Sequence, residues 1–387
     1  MRSNVKKIEL DMTDVHFNKE KGSQLKLFTP GPVHVPERVL KVLSLPNDTH
    51  RSQPYSEMHQ EATEGLKKVL YTKNDCLIFT SSATGIMEAC VRNLLGKKEK
   101  GLFLSIGAFG DRWHSIGEDN GKDAIKEGVE WGKAITPEFL EPVLAKDNYS
   151  VAFLQSNETS TGVYNPLDEI VPILKDSVDL VCVDATSSMA GIKVEVDKLG
   201  IDVCLASVQK CFALPPGLAV CSISQAAIDK ASTVKNRGQY FDFLALLKKN
   251  KIHQTPTTPP IPQIRGLVTQ LDYILNDEGL KKRFKRHEQL GKRTRIWARD
   301  IMMDMFPEKG YESNTVSTMK NSLKIDFDKM VKTMLDKGYR IVNGYGSLVN
   351  KTFRIGHMGE IEIKELEEML KVLTDIVSDL RLQELNK

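Results

Sequence analysis

From Cys76 onward, short runs of β-branched and other apolar residues alternate with helical patterns, and nothing else in the chain narrows its fold as far. The runs are Cys76-Leu77-Ile78-Phe79, Leu102-Phe103-Leu104, Val151-Ala152-Phe153-Leu154, Leu180-Val181-Cys182-Val183, Val203-Cys204-Leu205 and Leu218-Ala219-Val220-Cys221. They are continuously apolar instead of alternating, which marks strands buried on both faces. A mostly parallel sheet with helices on either side meets that requirement, so the expected class is α/β. After the first run, Met87, Cys90, Val91, Leu94 and Leu95 recur at helical spacing, and the turn from Ser81 to Gly85 therefore delivers a helix amino terminus. The proline-rich stretch from Thr255 to Pro262 ends the alternation. Further on, a smaller unit closes with a helix on which Ile363, Leu366, Leu370, Leu373, Ile376, Val377 and Leu380 form one apolar stripe.

The 387 residues are 41% hydrophobic, enough for two sizeable cores. Fifty-four basic against 51 acidic side chains leave a formal charge of only +3, which argues against nucleic acid or an anionic membrane as the main partner. No apolar stretch approaches the ~18 residues that span a bilayer. The opening MRSNVKKIELDMTDVHF has no apolar signal core, so the expected location is cytoplasmic. Six cysteines show no metal-ligand spacing and read as reduced, buried thiols, so no metal centre is expected. The basic cluster Lys281 to Arg286, followed by Lys292, Arg293 and Arg295, reads as the solvated face of a helix. Chemistry on a small molecule is what remains.

Candidate site residues fall at the ends of the apolar runs, where open α/β sheets bind ligands. Lys210, in Ala206-Ser207-Val208-Gln209-Lys210, precedes a rigid Pro215-Pro216-Gly217 turn and places an amine at a strand end. Asp184 closes another run, where a buried carboxylate needs a cation or several donors to stay ionised. A lysine to hold an aldehyde and an acid to keep a ring nitrogen protonated are what pyridoxal phosphate requires. Thr80-Ser81-Ser82-Ala83-Thr84-Gly85 offers backbone N–H groups and a helix dipole to a phosphate. Phe109, flanked by Gly107 and Gly110, is free to stack on a planar ring. Asn157-Glu158-Thr159-Ser160-Thr161-Gly162 presents hydroxyls at a further strand end. Arg354, alone in Phe353-Arg354-Ile355-Gly356, suits either a substrate carboxylate or a structural ion pair.

Taken in order, these residues resemble the class V aminotransferases of fold type I, and most closely their serine-pyruvate and alanine-glyoxylate branch. The likeness runs from Thr29-Pro30-Gly31-Pro32 through His50-Arg51-Ser52, Ser82-Ala83-Thr84, Gly107 to Arg112, Glu158 to Gly162, Val183-Asp184 and Gln209-Lys210 to Phe353-Arg354-Ile355-Gly356. It implies a mostly parallel seven-stranded sheet in a large domain over residues 25–275 and a smaller α+β domain over 276–387, with an arm over 1–24 outside the match. It implies that Lys210 holds pyridoxal phosphate as a Schiff base, Asp184 pairs with the ring nitrogen, Phe109 stacks on the ring and Thr159 contacts the ring hydroxyl. Ser82, Ala83, Thr84 and Gln209 would hold the phosphate, Arg354 the substrate α-carboxylate, and the backbone around Gly31 would line the pocket. Thr255 matches a threonine that reaches the phosphate of the neighbouring subunit, which implies a homodimer with shared active sites.

On the same resemblance the reaction is a ping-pong transamination from alanine or serine to glyoxylate or pyruvate. Only one substrate-facing arginine is apparent, so a second carboxylate would lack a counter-charge, and Gln209 stands where phosphonate-handling relatives have asparagine. Two departures stand out: Ile252 occupies a position held by tyrosine in the branch, and Phe109 one held by tryptophan in some members. The alternatives are a 2-aminoethylphosphonate-type or other class V transaminase, a pyridoxal-phosphate lyase, and a non-catalytic subunit of the same fold. A desulfurase would need a nucleophilic cysteine late in the chain, and none follows Cys221.

Overall fold

The computed structural model describes residues 25–385, so the expected arm lies outside the described residues. Seven strands form the large sheet: β1 (Asp75–Phe79), β2 (Lys100–Ser105), β3 (Asp123–Gly128), β4 (Val151–Gln155), β5 (Leu180–Asp184), β6 (Val203–Ser207) and β7 (Ala219–Ile223). Their order is β3-β2-β4-β5-β6-β7-β1, and every neighbouring pair is parallel except the two made by β7. The sheet thus has the seven strands expected. Six of them coincide with the apolar runs. The remaining one, β3, reads Asp-Ala-Ile-Lys-Glu-Gly at the sheet edge, where partial exposure admits charges and hides the strand from a search for apolar runs.

Residues alternate between two cores, one on each face of the sheet. Leu77, Phe103, Phe153, Cys182 and Leu205 pack on one side, with Phe103 and Phe153 stacked at 4.4 Å. Ile78, Leu104, Leu154, Val183 and Ala206 pack on the other. Helices α1 (Ala83–Leu94) and α2 (Ala108–Asp119) follow β1 and β2 directly, so both begin at the carboxyl edge of the sheet. All six cysteines are buried and unpaired, as expected.

A third core joins Phe28 to residues of the carboxyl-terminal third, among them Leu290, Trp297, Met319, Phe353 and Leu373. Here α3 (Leu280–Asp300) and α4 (Ile363–Leu385) flank an antiparallel sheet in the order β8-β10-β9, made of β8 (Val316–Lys320), β9 (Val342–Asn343) and β10 (Thr352–Gly356). On α4 the stripe from Leu366 to Leu380 is buried, but Ile363, the first residue of the helix, is exposed.

The basic cluster departs from its expected solvated role. Lys281, Lys282 and Lys285 are exposed, yet Arg283 is fully buried on α3. Its Nε donates to the Ala190 carbonyl at 2.8 Å, its Nη2 to the Cys211 carbonyl, and its Nη1 pairs with Glu278 at 2.5 Å. Arg286 shares Glu278 and donates to the carbonyls of Gly359 and Ile361. The inward face of the cluster therefore braces the turn that follows Lys210, a job that local charge density does not reveal. Removing one partner of a buried ion pair strands the other, so Arg283→Ala is expected to cost about 3–5 kcal/mol in urea unfolding. Lys282→Ala is expected to change it by less than about 0.5 kcal/mol.

Candidate active site

Because β1, β2, β4, β5 and β6 are mutually parallel, the segments leaving their carboxyl ends meet at one edge of the sheet. Lys210 lies in the turn after β6 and is 7% exposed. Its Nζ donates to Thr159 Oγ1 at 2.9 Å, Thr159 Oγ1 donates to Ser187 Oγ at 2.9 Å, and Ser187 Oγ donates to the Asn157 carbonyl at 3.0 Å. The chain of donors runs one way and ends on a carbonyl, so the lone pair of a neutral amine stays uncommitted. Burial lowers the Lys210 pKa to about 8, against the pull of the Asp184 charge in the other direction. Gly31, at φ 104°, lies against the lysine stem: a Cβ there would stand 2.8 Å from Lys210 Cγ. Only glycine satisfies both that backbone and that contact.

Asp184 ends β5, as expected, and is 4% exposed. Burial raises its pKa, while the Thr186 hydroxyl, the Thr186 N–H at 2.9 Å and the charges of Lys210 and Arg112 oppose that rise. No basic side chain makes a salt bridge with it among the described residues, so it can still meet the N–H of a ligand. At the start of α1, Ser82 occupies the cap position in extended geometry without a side-chain capping bond. The N–H groups of Ala83 and Thr84 have no acceptor among the described residues, which is the state of a helix terminus that receives an anion. Gln209 accepts from Ser207 Oγ, and its Nε2 has no acceptor among the described residues.

Phe109 sits in the first turn of α2, its ring centroid 5.6 Å from Lys210 Nζ. Its ring stacks with Tyr345 at 5.5 Å and 21°, and the Arg112 guanidinium lies 4.7 Å from its centroid. Arg112 also donates to Tyr345 Oη at 2.9 Å. Arg354, on β10, is 7% exposed and reaches the cleft from the side of the third core. Its Nη1 donates to the Thr159 carbonyl at 3.3 Å, while Nε and Nη2 donate to the Asn343 carbonyl at 3.4 and 3.3 Å. Burial lowers its pKa to about 10. No carboxylate pairs with it among the described residues, which leaves the substrate-binding alternative standing and the structural ion pair without a partner.

Lys210, Asp184, Thr159, Phe109, Arg354 and Gly31 are thus gathered at one edge, with Ser82, Ala83, Thr84 and Gln209 at the strand ends beside them. Thr255 does not join them. It is buried, donates to the Thr257 carbonyl at 2.7 Å, and offers its own carbonyl to Arg51 at 2.9 Å. Ile252, beside it in sequence, is 54% exposed. Sequence reading assigned no role to Ser187 or Tyr345. The hydroxyl run Thr186-Ser187-Ser188 after Asp184 is a signal for the first, but Tyr345 comes from a distant loop and leaves none.

The uncapped helix amides, the buried Asp184 carboxylate, the glycine cradle at Gly31 and the desolvated Lys210 amine fit the phosphate, ring nitrogen and aldehyde of pyridoxal phosphate. The Aminotransferase class-V family model matches residues 28–336, and the chain belongs to that family. It is a pyridoxal-phosphate-dependent aminotransferase of fold type I. An uncharacterized aminotransferase of Methanocaldococcus jannaschii is 38% identical over 345 residues, which cover 88% of this chain and 89% of the relative. A serine–glyoxylate aminotransferase of Methylorubrum extorquens is 30% identical, covering 87% and 86%. The crystal structure of an alanine–glyoxylate aminotransferase from Nostoc sp. superposes with a TM-score of 0.86 at 24% identity, covering 92% of this chain and 95% of that one. No helix among the described residues is long and apolar enough to cross a membrane.

Lysine amines react only when neutral, so the downward shift has a direct consequence. In protein freed of cofactor, modification of Lys210 by an amine reagent is expected to rise with pH through a midpoint near 8, against 10.5 for an ordinary lysine. Peptide mapping across a pH series measures it, and exposed lysines serve as the internal reference.

Proposed function

We propose that this aminotransferase moves the amino group of a small amino acid, alanine or serine, to glyoxylate or pyruvate in a ping-pong cycle. The observation that supports it most is Arg354, a buried guanidinium whose hydrogen bonds among the described residues go to carbonyl oxygens and which is joined to Lys210 through a single residue, Thr159. A substrate α-carboxylate replaces weak carbonyl contacts with a bidentate charged pair, and that places Cα near the Lys210 amine.

When bound, pyridoxal phosphate supplies an aldehyde carbon and a protonated ring that accepts the electrons released as Cα loses its proton. In this reading the N–H groups of Ala83 and Thr84, with Ser82 and Gln209, hold the phosphate. Asp184 keeps a proton on the ring nitrogen, and the Phe109 ring orients the ring face. Lys210, with its pKa lowered to about 8, would take the proton from substrate Cα as general base and, once protonated, would serve as general acid toward the aldehyde-derived carbon across the amino nitrogen. Thr159 fixes the direction of the amine through its own hydroxyl, while Gly31 leaves the lysine stem room to move.

Two further elements belong to the same reading. A homodimer with shared sites accounts for Thr255, which lies apart from Lys210 within one chain, and for the exposed Leu40, Leu45, Tyr240 and Ile252. A division into a large unit over 25–275 and a small one over 276–387 fits the separate third core. Six buried, unpaired thiols suit a reducing, cytoplasmic setting.

Assaying amino donors against oxo acids tests the substrate assignment: the highest kcat/KM is expected for alanine or serine with glyoxylate or pyruvate, and a preference for a phosphonate donor refutes it. Lys210→Ala is expected to abolish turnover. Arg354→Gln is expected to lower kcat/KM about a hundred-fold, mostly through KM, because two charge-assisted hydrogen bonds to the α-carboxylate are lost.

A further inference from the structure

The helix that carries Phe109 is not capped by its own sequence. Gly107 occupies the cap position of α2 and has no side chain to offer. The acceptors come instead from the segment after β4. Glu158 Oε2 accepts from the N–H groups of Phe109 at 3.0 Å and Gly110 at 3.2 Å, and Ser160 Oγ accepts from Ala108 N–H at 3.0 Å. The second oxygen of the same carboxylate, Oε1, accepts from Ser160 N–H at 2.9 Å and Ser160 Oγ–H at 2.6 Å. Glycine at 107 makes this approach possible, since a Cβ there would stand 2.4 Å from Glu158 Cγ and 2.6 Å from Ser160 Oγ.

We propose that Glu158 is a positioning residue of the active site: its carboxylate locks the first turn of α2 to the segment after β4, and so sets the Phe109 ring relative to the Thr159 hydroxyl that holds Lys210. The inference rests on the cofactor site described above. Thr159 lies between Glu158 and Ser160 and turns the opposite way, giving its hydroxyl to Lys210 and its carbonyl to Arg354. A shift of Glu158 therefore moves the ring support and the amine support together. Glu158 is fully buried, which raises its pKa, while its bonds to Ser160 and Gly110 pull the other way. All four of its partners are donors, so a protonated oxygen would face a donor with a donor; the anion is the form this cage accepts. An anion at a helix amino terminus is also favoured by the dipole. The charged and titratable groups around Lys210 are Asp184, Arg354, Glu158 and the Cys211 thiol, so Glu158 supplies negative charge to the amine as well as geometry.

Glu158→Gln separates these effects from simple packing. Glutamine keeps the volume, but its amide nitrogen must oppose two of the four donors, and the charge is gone. Measured on cofactor-free protein by equilibrium dialysis, pyridoxal phosphate is expected to bind about ten-fold more weakly or worse. The pH midpoint for modification of Lys210 is expected to move down, because a neighbouring anion that favours the protonated amine has been removed. Ser160→Ala keeps the anion and is expected to weaken binding without moving the midpoint. Wild-type affinity or an unmoved midpoint in Glu158→Gln overturns the proposal. If that variant does not fold, Glu158→Asp decides: weaker binding with an unmoved midpoint supports the role, and wild-type affinity refutes it. Wild-type protein that takes up no pyridoxal phosphate refutes the reading of the site itself, whereas normal uptake with an unaffected variant refutes only Glu158.

Discussion

Placing an amine where water is largely excluded makes the charge on Lys210 expensive, and the neighbouring groups are arranged around that constraint. Burial pushes the two bases, Lys210 and Arg354, down and the two acids, Asp184 and Glu158, up. None of these ions is paired directly with another in the described residues. Arg354 rests on carbonyls, Glu158 on N–H and O–H donors, Asp184 on the amide and hydroxyl of Thr186 and Lys210 on one hydroxyl. Each charge is thus tolerated through dipoles and through the longer-range field of the others, which leaves it responsive to a ligand. A site in which these four ions were neutralised as two ion pairs would be more rigid and would have nothing left to offer a carboxylate, a pyridine nitrogen or an aldehyde.

The sheet makes this arrangement possible by topology. Parallel strands bring their carboxyl ends to one edge, so side chains far apart in sequence come together without any long loop having to be ordered. The two helices that start at that edge add oriented amides. At α1 those amides have no acceptor among the described residues, whereas at α2 they are taken by Glu158 and Ser160. In the proposed reading two similar helix termini therefore have opposite roles: one receives a ligand, and the other fixes an aromatic ring. Arg283 adds rigidity from below by holding the Cys211 carbonyl, so the turn that carries Lys210 is anchored on both sides.

Much of this was legible in the sequence because the strands are doubly buried, and continuous apolar runs announce themselves. The residues at their ends, Lys210, Asp184, Phe109 and Thr159, were found where a parallel sheet must present them. The edge strand Asp123–Gly128 was invisible for the converse reason, since half-exposed positions tolerate charge. Arg283 was misread because composition counts charges without saying which way they face. Glu158 and Tyr345 escaped notice as functional groups because their partners, the α2 amides and the Phe109 ring, are distant in sequence and identified only by contact. Thr255 shows a different limit: within one chain it sits among Arg51 and Thr257, and only the proposed homodimer would give it a place at the site.

The account turns on one atom, Lys210 Nζ, and borohydride reduction of the cofactor-loaded protein followed by peptide mass mapping addresses it most directly. The expected result is a single pyridoxyl mark on the peptide containing Lys210, lost when alanine has first converted the cofactor to its amine form. A mark on another lysine, or none on yellow protein, contradicts the assignment of this buried amine as the group that holds the cofactor.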